Sequence, residues 1–264
     1  MGVLNVTPDS FSDGGQLFSN EGLLHDRLLE RAAQMVADGA TILDIGGEST
    51  RPGAAPVSLQ EELDRVMSAV QLIAPRLDVI LSIDTSTPEV MREAAQAGAG
   101  LLNDVRAFSR EGAMAAAVAS RLPVSLMHMS DEPDRMQQQT NYGDVVTDVK
   151  AFLEHRIAAC LTAGIAEDQI LIDPGFGFGK TVVQNYQMLR KLGEFASFDL
   201  PILVGVSRKS MIGAITGRPA SERVVPSAVL AVMAAARGAS VIRVHDVAET
   251  ADALAVWQAT EGEL

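Results

Sequence analysis

Eight short apolar runs alternate with amphipathic stretches along the whole chain, and this rhythm narrows the possible folds more than any other feature. The runs cover 1–6, 41–45, 79–83, 100–105, 123–127, 170–172, 201–206 and 240–244. None alternates strictly between apolar and polar residues, so they read as strands buried on both faces. The intervening segments read as helices. Residues 144–163 place Val145, Val149, Phe152, Ile157, Cys160 and Leu161 near one face, with Gly164 as a stop. Pro226 opens another helix and Gly238 ends it, and Ser86 or Thr87 is placed to cap a helix opened by Pro88. Glycines at 39, 98 and 238, each followed by alanine just before a strand, suit turns from helix to strand.

Eight strand–helix units predict an α/β fold, a (β/α)8 TIM barrel, as one domain over 1–264. The 264 residues fit that fold, which runs to ~250 residues. The rival, a doubly wound open sheet, carries fewer strands and a glycine-rich fingerprint after strand 1. Here strand 1 runs into Asn5-Val6-Thr7-Pro8-Asp9-Ser10, with no such glycines. No linker or shift in composition divides the chain.

Composition excludes several function classes. A single cysteine rules out a disulfide framework and a cysteine-built zinc site, and points to a reducing, cytoplasmic setting. No apolar run reaches the ~18 residues of a membrane span, and no secretory signal pattern is visible. Thirty-four acidic against 21 basic residues give a net charge of −13, which argues against a nucleic-acid surface. A local cationic cluster for an anionic small molecule remains compatible with that total.

Barrel chemistry sits at the carboxyl ends of the strands. Those ends carry Asn5, Asp44, Asp84, Asn103, Asp104, His128, Asp173, Ser207-Arg208-Lys209-Ser210, Arg243 and His245. A barrel interior has no place for so many polar groups unless they form a site. Asp44, Asp84, Asp173 and Asn103 offer acceptors suited to a flat heterocycle rich in N–H groups. Lys209, Arg243, His245 and Asn5 suit an anion such as phosphate. One site with both characters would hold a nitrogen heterocycle bearing a phosphate.

Two polar, glycine-containing loops, 9–15 and 46–53, are longer than ordinary connections and read as mobile active-site loops. The string Gly175-Phe176-Gly177-Phe178-Gly179-Lys180-Thr181 imitates a phosphate-binding P-loop, but Pro174 fills the position of its first glycine. It reads instead as a loop whose backbone approaches a ligand. Cys160 is expected in the core, His25 and His155 at the surface, Trp257 in packing, and 130–144 in a polar surface loop.

At these residues the chain resembles the dihydropteroate synthase family, the sulfonamide-targeted pterin-binding enzymes of folate biosynthesis. The matching stretches are 1–15, 44–53, Ile83-Asp84-Thr85-Ser86, Asn103-Asp104, 173–180, Ser207-Arg208-Lys209-Ser210 and 242–246, in family order along the whole chain. The resemblance implies condensation of 7,8-dihydropterin-6-ylmethyl diphosphate with 4-aminobenzoate, giving 7,8-dihydropteroate and diphosphate. It implies catalytic roles for Asp84, Lys209, Asp44 and Arg51, and a pterin site of Asp84, Asn103, Asp173 and Lys209. Diphosphate would fall to Asn5, Arg243 and His245, with Asn5 helping to place Mg2+. The aminobenzoate side would be Thr50, Arg51, Pro52, Phe178 and Ser210. In the family, diphosphate is thought to leave before the amine attacks, and no enzyme nucleophile is needed.

The resemblance further implies a homodimer. The alanine-rich stretch 227–236 could serve its interface, or could pack on its own barrel. Family members usually carry a short segment before the first strand; here Met1 opens that strand, so a hairpin closing the barrel floor is expected to be missing, a matter of stability more than of chemistry. Ordinary Ser49-Thr50-Arg51-Pro52-Gly53 and Phe176-Gly177-Phe178-Gly179 strings imply sulfonamide sensitivity. A pterin-dependent methyltransferase serving a corrinoid partner, and a non-catalytic pterin-binding paralogue, are the alternatives. Neither needs the anion site together with both long loops.

Overall fold

All eight apolar runs become parallel strands of one sheet that closes on itself. The computed structural model describes residues 1–7, 18–19, 22–23, 25–48, 57–131, 135–136 and 140–262. Its strands are β1 (Gly2–Asn5), β2 (Phe18–Ser19), β3 (Gly22–Leu23), β4 (Ile42–Gly46), β5 (Ile80–Asp84), β6 (Leu101–Asp104), β7 (Val124–Met127), β8 (Ile170–Asp173), β9 (Ile202–Val204) and β10 (Ala239–Ile242). The sheet order is β1-β4-β5-β6-β7-β8-β9-β10, while β2 and β3 pair separately as a small antiparallel ribbon. Closure comes where β1 meets the chain just beyond β10. Gly2 bridges Val244 in parallel, and Val3 N–H donates to Val244 O at 2.9 Å. This is a (β/α)8 barrel.

The helices are α1 (His25–Ala37), α2 (Leu59–Ile73), α3 (Pro88–Gln96), α4 (Ala113–Ser120), α5 (Val145–Ala163), α6 (Val182–Arg190), α7 (Ser210–Thr216), α8 (Val224–Ala235) and α9 (Val247–Glu261). Local chemistry sets their ends. Ser58 and Glu61 form a reciprocal cap at the start of α2, and Asp144 accepts from Val146 N and Thr147 N at the start of α5. Pro88 is the first residue of α3, but its N-cap Thr87 makes no capping bond, because its hydroxyl turns to Glu62. Gly39 and Gly98 take φ of +103° and +108° in the predicted helix-to-strand turns.

Three local expectations shift. Helix α8 starts at Val224, two residues before Pro226. In α5 the buried face holds Val145, Val146, Val149, Leu153, Ile157 and Cys160, whereas Leu161 is exposed. Within 130–144 the described residues are exposed or half-buried as expected, except Met136, which is buried and whose carbonyl accepts from Ser130 Oγ. Cys160 is fully buried as expected, and His25 is exposed, 3.2 Å from Ser68 Oγ. Among the described residues no helix is long and apolar enough to cross a membrane.

Candidate active site

A carboxylate at the centre of the barrel mouth organises the site. Asp44, at the middle of β4, is fully buried. It accepts Ser82 Oγ at 2.6 Å and Arg243 Nε at 2.6 Å, and Asn103 Nδ2 lies 3.4 Å from both its oxygens. Strand pairing explains the gathering: Asp44 lies beside Ser82, and Asp84 beside Asn103, on neighbouring strands. Arg243 comes from the far end of the chain, just past β10, and its Nη2 donates to Asp84 Oδ2 at 2.8 Å. The guanidinium therefore clips two carboxylates together. Removing one partner of such a buried pair costs ~3–5 kcal/mol, because the other charge stays buried alone.

Burial pushes the Asp84 carboxyl up; Arg243 pulls it back, and the charges of Asp44, Asp104 and Glu48 push it further, to about 7. Burial works against the Arg243 charge too, but Asp44 and Asp84 more than offset it and hold the guanidinium above its ordinary range.

The second half of the site grows from β8 and β9. Asp173 ends β8 and accepts Gly175 N at 2.7 Å; burial raises its carboxyl, against the nearby Lys209 charge. Lys209 Nζ donates to Phe176 O and stands 4.7 Å from the centroid of the Phe178 ring, a cation–π contact. Burial brings Lys209 down to about 8, with Asp173 opposing and Arg243 assisting. Ser210 follows as the exposed first residue of α7.

Small residues let the two halves meet. A Cβ on Gly205 would lie 3.8 Å from Arg243 Cβ and 4.0 Å from Lys209 Nζ, so that glycine separates the two cations. A Cβ on Gly46 would lie 3.4 Å from Asn5 Oδ1 and 3.7 Å from Asp84 Cβ, which puts Asn5 on the Asp84 side of the mouth. His245 is held by Ser207, whose Oγ lies 3.2 Å from its N and 3.1 Å from its Nδ1. Thus Asn5, Asp44, Asp84, Asn103, Asp173, Phe178, Lys209, Ser210, Arg243 and His245 all sit at one end of the barrel. Thr50, Arg51 and Pro52, together with the 9–15 loop, lie outside the described residues.

The glycine-rich 175–179 segment has a supporting post that sequence reasoning did not find. Lys180 is buried, and Nζ contacts Gly175 O at 2.8 Å, Phe178 O at 3.1 Å and His128 Nδ1 at 2.9 Å. Burial lowers Lys180 well below the usual lysine range, with the Asp173 charge opposing. Burial and the Lys180 charge hold His128 neutral, down to about 2. Gly175 and Gly179 have φ of +72° and +66°, and a Cβ on either would strike His128 O or Ser130 Oγ within 2 Å. The string is a tightly laid loop presenting Phe176 O and the Phe178 ring to Lys209. Behind the mouth, buried Glu62 of α2 accepts Thr85 Oγ1 at 2.5 Å and Thr87 Oγ1 at 2.6 Å. Asp104 accepts Ser86 Oγ, Arg106 N and Phe108 N, so it braces the β6 turn.

The site can hold N–H donors on three carboxylates and an amide, next to an anion on Arg243, Lys209 and His245. Comparison with known proteins agrees with that chemistry. The family of pterin binding enzymes matches residues 1–245. Dihydropteroate synthase of Escherichia coli K12 is 52% identical over 263 residues, 98% of this chain and 90% of that protein. The Yersinia pestis dihydropteroate synthase in complex with a sulfonamide drug superposes with a TM-score of 0.95 at 52% identity, covering 99% of this chain and 94% of that one. The Xanthomonas albilineans dihydropteroate synthase with 4-aminobenzoic acid gives 0.91 at 46% identity, covering 99% and 92%.

Proposed function

The chain belongs to the pterin binding enzyme family, and from that membership we infer that it works as a dihydropteroate synthase with its chemistry divided among the strand ends. It is a transferase that joins 7,8-dihydropterin-6-ylmethyl diphosphate to 4-aminobenzoate, and it is a sulfonamide target. The observation that carries the reading is the shared site: an acceptor set of Asp44, Asp84, Asn103 and Asp173 adjoins the cations Lys209 and Arg243 across Gly205. A pterin bearing a diphosphate needs both in one place.

In this reading Asp84, Asn103 and Asp173 accept the pterin N–H groups and Lys209 donates to a ring acceptor. Asp44 fixes the Arg243 guanidinium through Nε. With Nε and Nη2 committed to carboxylates, Arg243 offers Nη1 to a diphosphate oxygen, and His245 and Asn5 complete that side. The carbon–oxygen bond to diphosphate breaks with its electron pair leaving on the phosphate oxygen. Positive charge then spreads from the methylene into the pterin ring, beside the Asp44, Asp84 and Asp173 carboxylates. The aminobenzoate nitrogen forms the new bond to that carbon and gives up a proton. Phe178, Ser210, Thr50, Arg51 and Pro52 border the aminobenzoate, and closure of the 46–53 loop would keep water from the cation.

Among the described residues no group of three or more His, Cys, Asp or Glu is arranged to hold a metal by itself. One amide oxygen, Asn5 Oδ1, near the diphosphate side fits an ion that arrives largely on its substrate, as Mg2+ does, with few protein ligands. When bound, Mg2+ would neutralise charge on the departing diphosphate, with Asn5 as its protein ligand.

Helix α8 supports a homodimer. Ser227, Ala228, Leu230, Ala231 and Ala234 are buried on the barrel, while Val225, Val229 and Met233 form an exposed apolar stripe at four-residue spacing. One cysteine, buried, suits a cytoplasmic enzyme. One pterin-binding domain over 1–264 accounts for the chain.

Release of diphosphate from the dihydropterin diphosphate with Mg2+, with and without 4-aminobenzoate, tests the function. Release coupled to 7,8-dihydropteroate is expected. Folded protein that binds pterin but releases nothing would instead be a binding paralogue, and methyl transfer to a corrinoid would select the methyltransferase reading.

A further inference from the structure

The turn that launches Lys209 is an unfavourable one, and α8 holds it in place. Arg208 adopts φ +57°, a left-handed conformation that a non-glycine residue takes at a cost and keeps only when its surroundings fix it. Its guanidinium grips Asp246 with both Nε and Nη2. Its backbone N–H donates to Ser227 Oγ of α8 at 2.9 Å. Arg223, the N-cap residue of α8, holds the other side. Its Nη1 donates to Arg208 O at 2.9 Å and Lys209 O at 3.3 Å, and its Nε to Arg218 O at 2.8 Å. Ser227 ties back to Arg223, donating to its carbonyl at 2.5 Å.

These contacts fix the peptides on both sides of the Lys209 Cα. Lys209 is the N-cap of α7 and Ser210 its first residue, so the orientation of that helix start sets where both side chains point. A planar fork can span two successive carbonyls, which the point charge of a lysine cannot do with the same geometry.

Gly213 makes room for the fork. A Cβ there would lie 2.1 Å from Arg223 Nη2, 2.6 Å from Cζ and 2.9 Å from Nε. The guanidinium occupies the space over Gly213, where any larger residue would evict it. In an open helix, glycine to alanine is stabilising. Here the same change would release the carbonyls of 208 and 209.

We propose that Arg223 is a positioning residue that aims Lys209 and Ser210 at the substrates, with Gly213 as the seat its guanidinium requires. The proposal rests on Lys209 and Ser210 bordering the substrates as read above. Arg223 itself touches no substrate.

The test is steady-state kinetics on full-length Arg223→Gln, Gly213→Ala and the double variant Arg223→Ala/Gly213→Ala, with Arg223→Ala and Lys209→Met as references. Arg223→Gln and Gly213→Ala should each raise KM for the dihydropterin diphosphate about tenfold while kcat falls less than about threefold. A residue that only supported folding would lower the active fraction, and so apparent kcat, without moving KM. On the Arg223→Ala background, Gly213→Ala should add no further rise in KM and should raise the melting midpoint. Unchanged KM in the single variants, or effects that multiply in the double variant, overturns the proposal. If Arg223→Gln does not fold, Arg223→Lys replaces it, and an unchanged KM there overturns the proposal equally. Unchanged KM in Lys209→Met would instead defeat the site reading beneath it.

Discussion

In the proposed site Asp84 serves as a carboxylate and Lys209 as an ammonium, and their shifted titrations bracket a narrow working range. Burial, with the carboxylates of Asp44, Asp104 and Glu48 outweighing Arg243, lifts Asp84 to about 7, so below that pH it carries a proton and loses acceptor capacity. Burial lowers Lys209 to about 8 against the pull of Asp173, so above that pH it loses its charge. Binding of the dihydropterin diphosphate should therefore be tightest between about 7 and 8, weakening up to tenfold per pH unit on either side. Titration calorimetry across the range checks this: Asp84→Asn should flatten the acid limb and Lys209→Met the alkaline one, and a flat wild-type profile refutes it. The acidic and cationic strand ends stand out in the sequence because a packed barrel interior is otherwise apolar, although one of them, Asp104, turns out to brace the β6 turn. Arg223 and the pairing of Lys180 with the strand-end His128 could not be read there. Their partners are mostly backbone carbonyls, which leave no signature in side-chain chemistry, and His128 and Lys180 are 52 residues apart.

At the scale of elements, periodicity tells which residues face the barrel but not what lies outside it. Helix α8 shows this. Its alanine-rich sequence was ambiguous between its own barrel and a partner, and the structure gives it two apolar faces: one buried, the other carrying Val225, Val229 and Met233 in the open. Both faces look alike in sequence because both are apolar. Val229→Glu puts a charge in the middle of the outer stripe, where it touches no core. If the proposed homodimer forms through this stripe, the expected outcome by sedimentation velocity is a shift from dimer to monomer with the barrel still folded; a wild type that already sediments as a monomer, or a variant of unchanged dimer mass, overturns that reading. The same limit explains Leu161, apolar yet exposed at the end of α5, and Met136, buried within a segment whose serines, glutamines and acidic residues suggested surface. A single buried side chain has no period to reveal it.

For the whole molecule, the eight-strand rhythm made the barrel legible, since only closure removes both edges of a parallel sheet of this size. The closing contact itself was not legible: it joins residues 2 and 244, and nothing in either segment names the other. It has a consequence for unfolding. The first strand is hydrogen-bonded to β4 on one side and to the chain beyond β10 on the other, so neither end of the sheet can peel away without opening the ring. Arg243 strengthens the same closure, joining the last strand to Asp44 of β4 and Asp84 of β5. A chain organised this way should lose structure in one cooperative transition, as one domain does. The single tryptophan, Trp257 on α9, reports on the C-terminal end, whereas far-ultraviolet circular dichroism averages over all helices. Their urea midpoints should coincide, and dihydropterin diphosphate at a hundred times its Kd should move both together by about 2.7 kcal/mol of added stability. An early tryptophan transition would mean that α9 separates first and that the ring closed by β1 and β10 is not the unit of folding.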